Sequence, residues 1–377
     1  MSRPADLPLH QHLIDRIHRH GPLPFSAVME TALYDTQHGF FGSGQGSAGR
    51  RRGDFITSPE VGPLFGAVLG RALDSWWDEL GRPDPFVVVD AGAGVGTLAV
   101  SVLAATPRCA PALHYVLVER SPALRERHGD HLPLAPPASS LGVPGAGDGP
   151  VVVSLAEMPA TSFTGVVVAN ELLDNVPVDL LVRTGDAWGE LRVGMDEAEE
   201  AMVGHVVPAS DPARVAADRF APGAPDGATI PWQHRAGEWV RDALGRIDAG
   251  RLVVIDYGVD RTTELADRPM GEWLRTYRGH DRAGDPLADL GTADITVEVC
   301  IDQLAAAGQP VSVRYQHEFL GAHGIDVLVA EGQRIWQERA HLGDLTAIRG
   351  RSRVTEAEAL LDRSGLGGFR VVEWTRV

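Results

Sequence analysis

The chain has no lysine: all 34 of its basic residues are arginine. That single absence excludes two large groups of enzymes. A phosphate-binding P-loop cannot be completed without its lysine, and Schiff-base or pyridoxal chemistry needs a lysine amine. With its abundance of Ala, Gly, Val and Pro, the composition reads as the coding bias of a high-GC genome. Cysteine is also scarce. Cys109 and Cys300 stand alone, without metal-ligand spacing, and read as buried thiols rather than a disulfide framework or a metal site. No stretch approaches about 18 uncharged apolar residues, so no membrane span is expected. The first twenty residues carry no apolar core of a secretion signal, which points to a soluble, cytoplasmic protein. Basic residues are outnumbered by 51 acidic ones, a net charge of −17. Such a surface argues against nucleic acid as a partner and suits a cationic one.

What is present is globular. The 377 residues are 44% hydrophobic and 23% charged, enough for one large or two modest domains. Residues 8–20 have helical spacing and stop at Gly21-Pro22, and a second helix is expected over Ser26–Leu33. A glycine-rich tract over 42–49 leads into Arg50-Arg51-Arg52. Ser58-Pro59-Glu60 then reads as a helix start, with Ser58 as N-cap, and the helix is expected to run unbroken to Gly81. Beyond it, continuous apolar runs at 86–90, 114–119, 151–153, 165–169 and 252–256 alternate with helical stretches. Runs of that kind predict parallel strands covered on both faces. The expected fold is α/β, a Rossmann-like sheet with helices on both faces, an N-terminal helical extension and an inserted substrate lobe. The boundaries predicted are 1–82 for the helical or lid region, 83–177 for the core, 178–232 for the lobe and 233–377 for the rest. Strands at 180–183 and 190–193 mark the lobe, and the C-terminal third offers a strand near 311–315, helices near 325–340 and 354–363, and a last strand over 369–374.

The strongest local signal is Val89-Asp90-Ala-Gly92-Ala-Gly94-Val-Gly96-Thr97, directly after a strand and opening a helix. A glycine turn there lets the backbone approach a ligand and presents helix N-terminal amides. Two cofactor classes use such a turn. The dinucleotide pattern G-x-G-x-x-G would place Gly where this chain has Thr97. The order D-x-G-x-G-x-G resembles motif I of Rossmann-like S-adenosylmethionine (SAM) methyltransferases, which makes Asp90, Gly92, Gly94 and Gly96 cofactor-binding candidates. Glu119 lies 23 residues beyond Gly96 at the end of the next strand. A carboxylate there can accept both cis ribose hydroxyls. Ser154-Leu155-Ala156-Glu157 falls where such enzymes contact adenine, so Leu155 joins the set.

Four further segments make the chain resemble the MidA-like SAM-dependent methyltransferases: Met29-Glu30-x-Ala32-Leu33-Tyr34 with Gly39-Phe40-Phe41, Gly53-Asp54-Phe55-Ile56-Thr57-Ser58-Pro59-Glu60, Asn170-Glu171-Leu172-Leu173-Asp174-Asn175-Val176-Pro177-Val178, and Tyr277-Arg278-Gly279-His280. The resemblance covers roughly residues 20–320. It departs at Phe40-Phe41, where tyrosines are common, and at Glu272-Trp273. It implies SAM as cofactor and, from mitochondrial relatives that methylate an arginine of a partner subunit, a protein arginine as acceptor. It also implies that Asp54 or Thr57 reaches the cofactor or shapes its lid, and it sets Asn170, Glu171 and Asp174 at the sheet edge where ligands bind. Glu171 and Asp174 are the expected acceptor-orienting acids, with capping and loop bracing as their plainer role. His280 is the candidate base or substrate contact. Two alternatives stand beside this reading: methylation of a small molecule or peptide in bacterial biosynthesis, and a SAM-binding assembly scaffold without turnover. No metal is called for, and a homodimer is left open.

Overall fold

The computed structural model describes residues 8–44, 57–137, 149–196, 198, 201–278 and 281–377, the backbone alone for 281–283. Its centre is a seven-stranded sheet of β1 (Phe86–Ala91), β2 (Leu113–Val118), β3 (Val151–Leu155), β4 (Phe163–Asn170), β5 (Ile247–Asp256), β6 (Ser312–Tyr315) and β7 (Arg370–Arg376), in the order β3-β2-β1-β4-β5-β7-β6. Strands β1 to β5 are parallel, and β7 runs antiparallel to both of its neighbours.

The valine runs explain this placement. Every residue of β1 and β2 is buried, and successive side chains enter opposite cores. Val88 packs with Leu64, Phe65, Leu69 and Trp76 of one helical layer. Val87 and Val89 pack with Ala236, Val240 and Ala243 of the other. A strand covered on both sides has no polar face, hence the uninterrupted hydrophobic pattern. From β1 the chain adds β2 and β3 on one side, then β4 and β5 on the other, so the strand order reverses between β1 and β4, the switch point where α/β sheets bind ligands at the carboxyl ends of their strands.

The helix expected over 58–81 is interrupted. It forms as α3 (Ser58–Val61) and α4 (Pro63–Glu79), separated by extended Gly62. Proline disfavours helical backbone in the residue before it, and a side chain at Gly62 would lie 2.2 Å from the Glu356 carboxyl carbon. The N-cap is Thr57 rather than Ser58. The helix expected near 354–363 begins earlier, as Leu345–Leu361.

Residues 178–232 supply strands Asp179–Thr184, Ala187–Asp196, Ala201–Pro208 and Thr229–Trp232 of a second sheet. Leu23–Pro24 joins that sheet by pairing with Val193 and Arg192. Helices α1 (Pro8–His20) and α2 (Phe25–Tyr34) therefore share one core with the lobe, in which Leu13 and Met29 meet Leu180 and Val193. Both cysteines are buried and free. Among the described residues no helix is long and apolar enough to cross a membrane.

Candidate active site

The glycine turn after β1 sits at the switch point, and its three glycines answer to different constraints. All three have positive φ. A side chain at Gly92 would press within 2.8 Å of Leu172, and one at Gly96 within 3.1 Å of Leu117. At Gly94 it would meet nothing within 4 Å. Gly94 faces open space because it lines a cavity of about 550 Å³, a volume in the range of small-ligand sites.

Glu119, at the end of β2, is buried and held on both oxygens. Gly94 N–H donates to Oε2 (3.0 Å) and Ser121 N–H to Oε1 (2.7 Å). Burial pushes its carboxyl above the usual range, while these amides and Arg125 and Arg120 draw it back. Asp90 takes the Tyr115 hydroxyl (3.1 Å), and burial raises it to about 7. A further brace, unmarked by any motif, is fully buried His128. One ring nitrogen lies 2.9 Å from the Gly94 carbonyl and the other 2.8 Å from Ser154 Oγ. Burial lowers its pKa, so the ring is neutral at physiological pH. Since a carbonyl only accepts, Nε2 carries the proton and Nδ1 accepts from the serine.

The cavity is also lined by Thr57, Pro59 and Glu60 of the α3 segment, by Ala156, Glu157 and Met158 after β3, and by Asn170 and Glu171 after β4. Leu155 does not line it. Its carbonyl accepts the Glu119 N–H (3.0 Å) while its side chain packs in the core, because the strand still alternates at that position. Helix α2 contributes Glu30 and Tyr34, and helix His234–Gly245 contributes Arg235, Trp239 and Asp242. Arg120 reaches Glu30 at 2.6 Å and lies over the Tyr34 ring. Sequence reasoning gave this wall no site role, although Glu30 and Tyr34 stand in a segment that carries the family resemblance. For the other helix the only signal is the helical repeat at 235, 239 and 242–243, which reads equally as packing.

Among the described residues of the site, Glu171 is the one non-glycine in left-handed backbone (φ 53°), a strain of roughly 1–3 kcal/mol. Its Oε1 accepts from Ser58 N–H (2.9 Å) and from the Asn170 amide (3.0 Å), which joins the α3 segment to the end of β4. Burial first, then Asp174 and Glu60, raise Glu171 to about 8. Burial raises Glu60 to about 7. Asp174 was expected beside Glu171 as a second acceptor contact. It is instead buried in the turn Leu173–Asn175 and does not line the cavity, because that turn is 3-10 and directs it inward. Burial lifts it to about 7. Asp54 and His280 lie outside the described residues.

The residues present fit SAM. Asn170 Oδ1 is buried without a hydrogen-bond partner, Gly94 leaves room at the backbone, and the Glu119 carboxylate stands beside that room. Glu119 would hold the ribose hydroxyls, the glycine turn the aminoacyl part, and Ala156–Met158 the base. When bound, SAM supplies a methyl group activated by a sulfonium. The protein's share is to orient and to exclude water.

A strand order of 3-2-1-4-5-7-6 with a glycine turn after the first strand and an acid after the second defines the Rossmann-like SAM-dependent methyltransferases. Comparison with known proteins narrows this. Residues 68–319 match the family described as "Putative S-adenosyl-L-methionine-dependent methyltransferase", and the chain belongs to it. It is 30% identical to mouse (Mus musculus) "Protein arginine methyltransferase NDUFAF7, mitochondrial" over 85% of this chain and 75% of that protein. The human (Homo sapiens) counterpart is 29% identical over 85% and 74%. A crystal structure of a candidate methyl transferase from Burkholderia thailandensis bound to S-adenosyl-homocysteine superposes with a TM-score of 0.81 at 27% identity, covering 100% of this chain and 95% of that one. The protein is a SAM-dependent methyltransferase. The MidA-like resemblance stands, and the scaffold without turnover is set aside.

Proposed function

We propose that the methyl acceptor is an arginine nitrogen of a protein or peptide. The observation that carries this reading is the acidity of the cavity wall and of the layer behind it. Glu60, Glu171, Asp174 and Asp256 are all pushed toward their protonated forms by burial. Backbone amides, the Thr57 hydroxyl, the Asn170 amide and one another's charges act on them. Buried carboxylates without a cation are costly unless a ligand supplies one. A guanidinium does so with planar paired donors, and held by carboxylates its charge is drawn away from the attacking nitrogen. N-methylation also releases one proton from the acceptor nitrogen. Glu171, on the cavity wall, is the group to take it. The names of the mouse and human relatives agree with this acceptor.

The test uses SAM with a labelled methyl group, an arginine-bearing peptide and its alanine counterpart. Methylarginine in the first and no label in the second is expected. Label confined to small molecules of a lysate would instead support the biosynthetic alternative.

A further inference from the structure

The turn after Glu171 is gripped from the next strand of the sheet. Glu171 N–H donates to the Ile255 carbonyl (2.8 Å) at the end of β5. Leu173 N–H and Asp174 N–H both donate to Asp256 Oδ2, at 2.9 and 3.2 Å, and Tyr257 N–H donates to Oδ1 at 3.0 Å. One buried carboxylate thus receives three backbone amides. We infer that Asp256 is a positioning residue for acceptor recognition: by holding this turn, Asp256 sets where the Glu171 carboxyl points. The inference rests on the arginine reading.

Asp256 and Asp174 form a buried acidic pair behind the turn. Burial raises both, and the charges of Asp174 and Glu171 raise Asp256 further against its amide donors. The other charged and titratable groups facing this cluster are Glu60 from α3, Glu171 itself, and the Tyr257 hydroxyl, which lies near Thr296 under the Arg275 guanidinium. The left-handed backbone at Glu171 is what the grip sustains. A turn free of Asp256 would relax it and carry the carboxylate off the cavity wall.

Asp256→Asn tests this with the full chain, SAM and the arginine peptide. The variant keeps one oxygen for the turn but sets an amide N–H against backbone N–H donors. Expected are a Kd for SAM within about twofold of wild type, a KM for peptide raised about fivefold or more, and a lower kcat/KM. A SAM affinity that falls in step with peptide kcat/KM overturns the inference, since loss of mere structural support weakens both ligands. Should the asparagine variant fail to fold, Asp256→Glu decides. It keeps both acceptor oxygens but misplaces the turn, so peptide kcat/KM should fall about tenfold at unchanged SAM affinity, and full activity overturns the positioning role. A wild-type enzyme that labels no arginine peptide removes the acceptor reading, and this inference with it. Labelling by wild type with an unchanged peptide KM in the variant removes the inference alone.

Discussion

Single residues at the switch point separate what supports the turn from what meets the ligand. Gly92 and Gly96 are small because protein atoms crowd them, whereas Gly94 is small although nothing crowds it. Gly94→Val should therefore act on the ligand more than on the fold. A β-branched residue in left-handed backbone costs about 1–2 kcal/mol, and its methyls would enter the cavity that Gly94 lines. The expected result is a folded protein whose affinity for SAM, by calorimetry, falls at least tenfold. Normal binding by a folded variant would put the cofactor elsewhere. Glu171 yields the second residue-scale prediction. Its carboxyl, raised to about 8, must ionise to hold a guanidinium. Peptide kcat/KM should climb between about pH 7 and 9, and Glu171→Gln should erase the limb and lower kcat about 100-fold or more while SAM affinity changes little. A glutamine variant with the wild-type limb would remove Glu171 from proton handling.

At the scale of elements, the short α3 is held by what surrounds it. Ser58 hydroxyl donates to Gln316 (3.1 Å), Ser58 N–H to Glu171, and the Leu64 N–H at the start of α4 to buried Glu356 (2.9 Å) from helix Leu345–Leu361. This explains a limit of the sequence. Ser-Pro-Glu advertises a helix start, and one lies within a residue of it, but the break at Gly62 depends on a carboxylate 294 positions away in the chain. No local pattern encodes such a partner. Glu356→Ala should leave the Leu64 N–H without its acceptor and cost about 1–2 kcal/mol, as lost helix caps do. Thermal melting should show the loss and amide exchange should place it at Leu64. An unchanged melting temperature would mean that water or the Thr57–Glu60 segment replaces the cap.

For the molecule as a whole, the parallel strands and glycine turn were legible because burial on both faces and a tight turn each force a residue type. The strands at 86–91, 113–118 and 163–170 lie within two residues of their expected ends. The wall formed by Arg235, Trp239 and Asp242 was not legible, since helices that line a pocket share their periodicity with helices that fill a core. Nor did the sequence show that Asp174 turns inward, which depends on the 3-10 geometry of its turn. What emerges only at this scale is a concentration of buried acids at one sheet edge. Glu60, Asp90 and Asp174 are raised to about 7 and Glu171 to about 8, with burial the leading cause throughout. An acid raised in the folded state binds its proton more tightly than it does unfolded. Its stabilising contribution is therefore complete below the unfolded value near 4 and is lost as pH rises through the folded value. The exposed acids lowered by arginine partners or backbone amides, such as Asp78 and Asp344, act in the opposite sense but only below about pH 4. The free enzyme should accordingly melt higher at pH 6 than at pH 8.5, by about 2 °C or more, with the descent already under way at pH 6 and levelling off above the folded values of about 7 and 8. Glu171→Gln removes one of the raised acids, so its melting temperature should fall less over the same interval. An arginine peptide bound with S-adenosyl-homocysteine should flatten the descent in wild type, because a guanidinium stabilises the ionised carboxylate. A melting temperature that rises from pH 6 to 8.5 would mean these carboxyls are ionised in the folded protein at neutral pH. The cation would then have to come from the protein itself rather than from the acceptor.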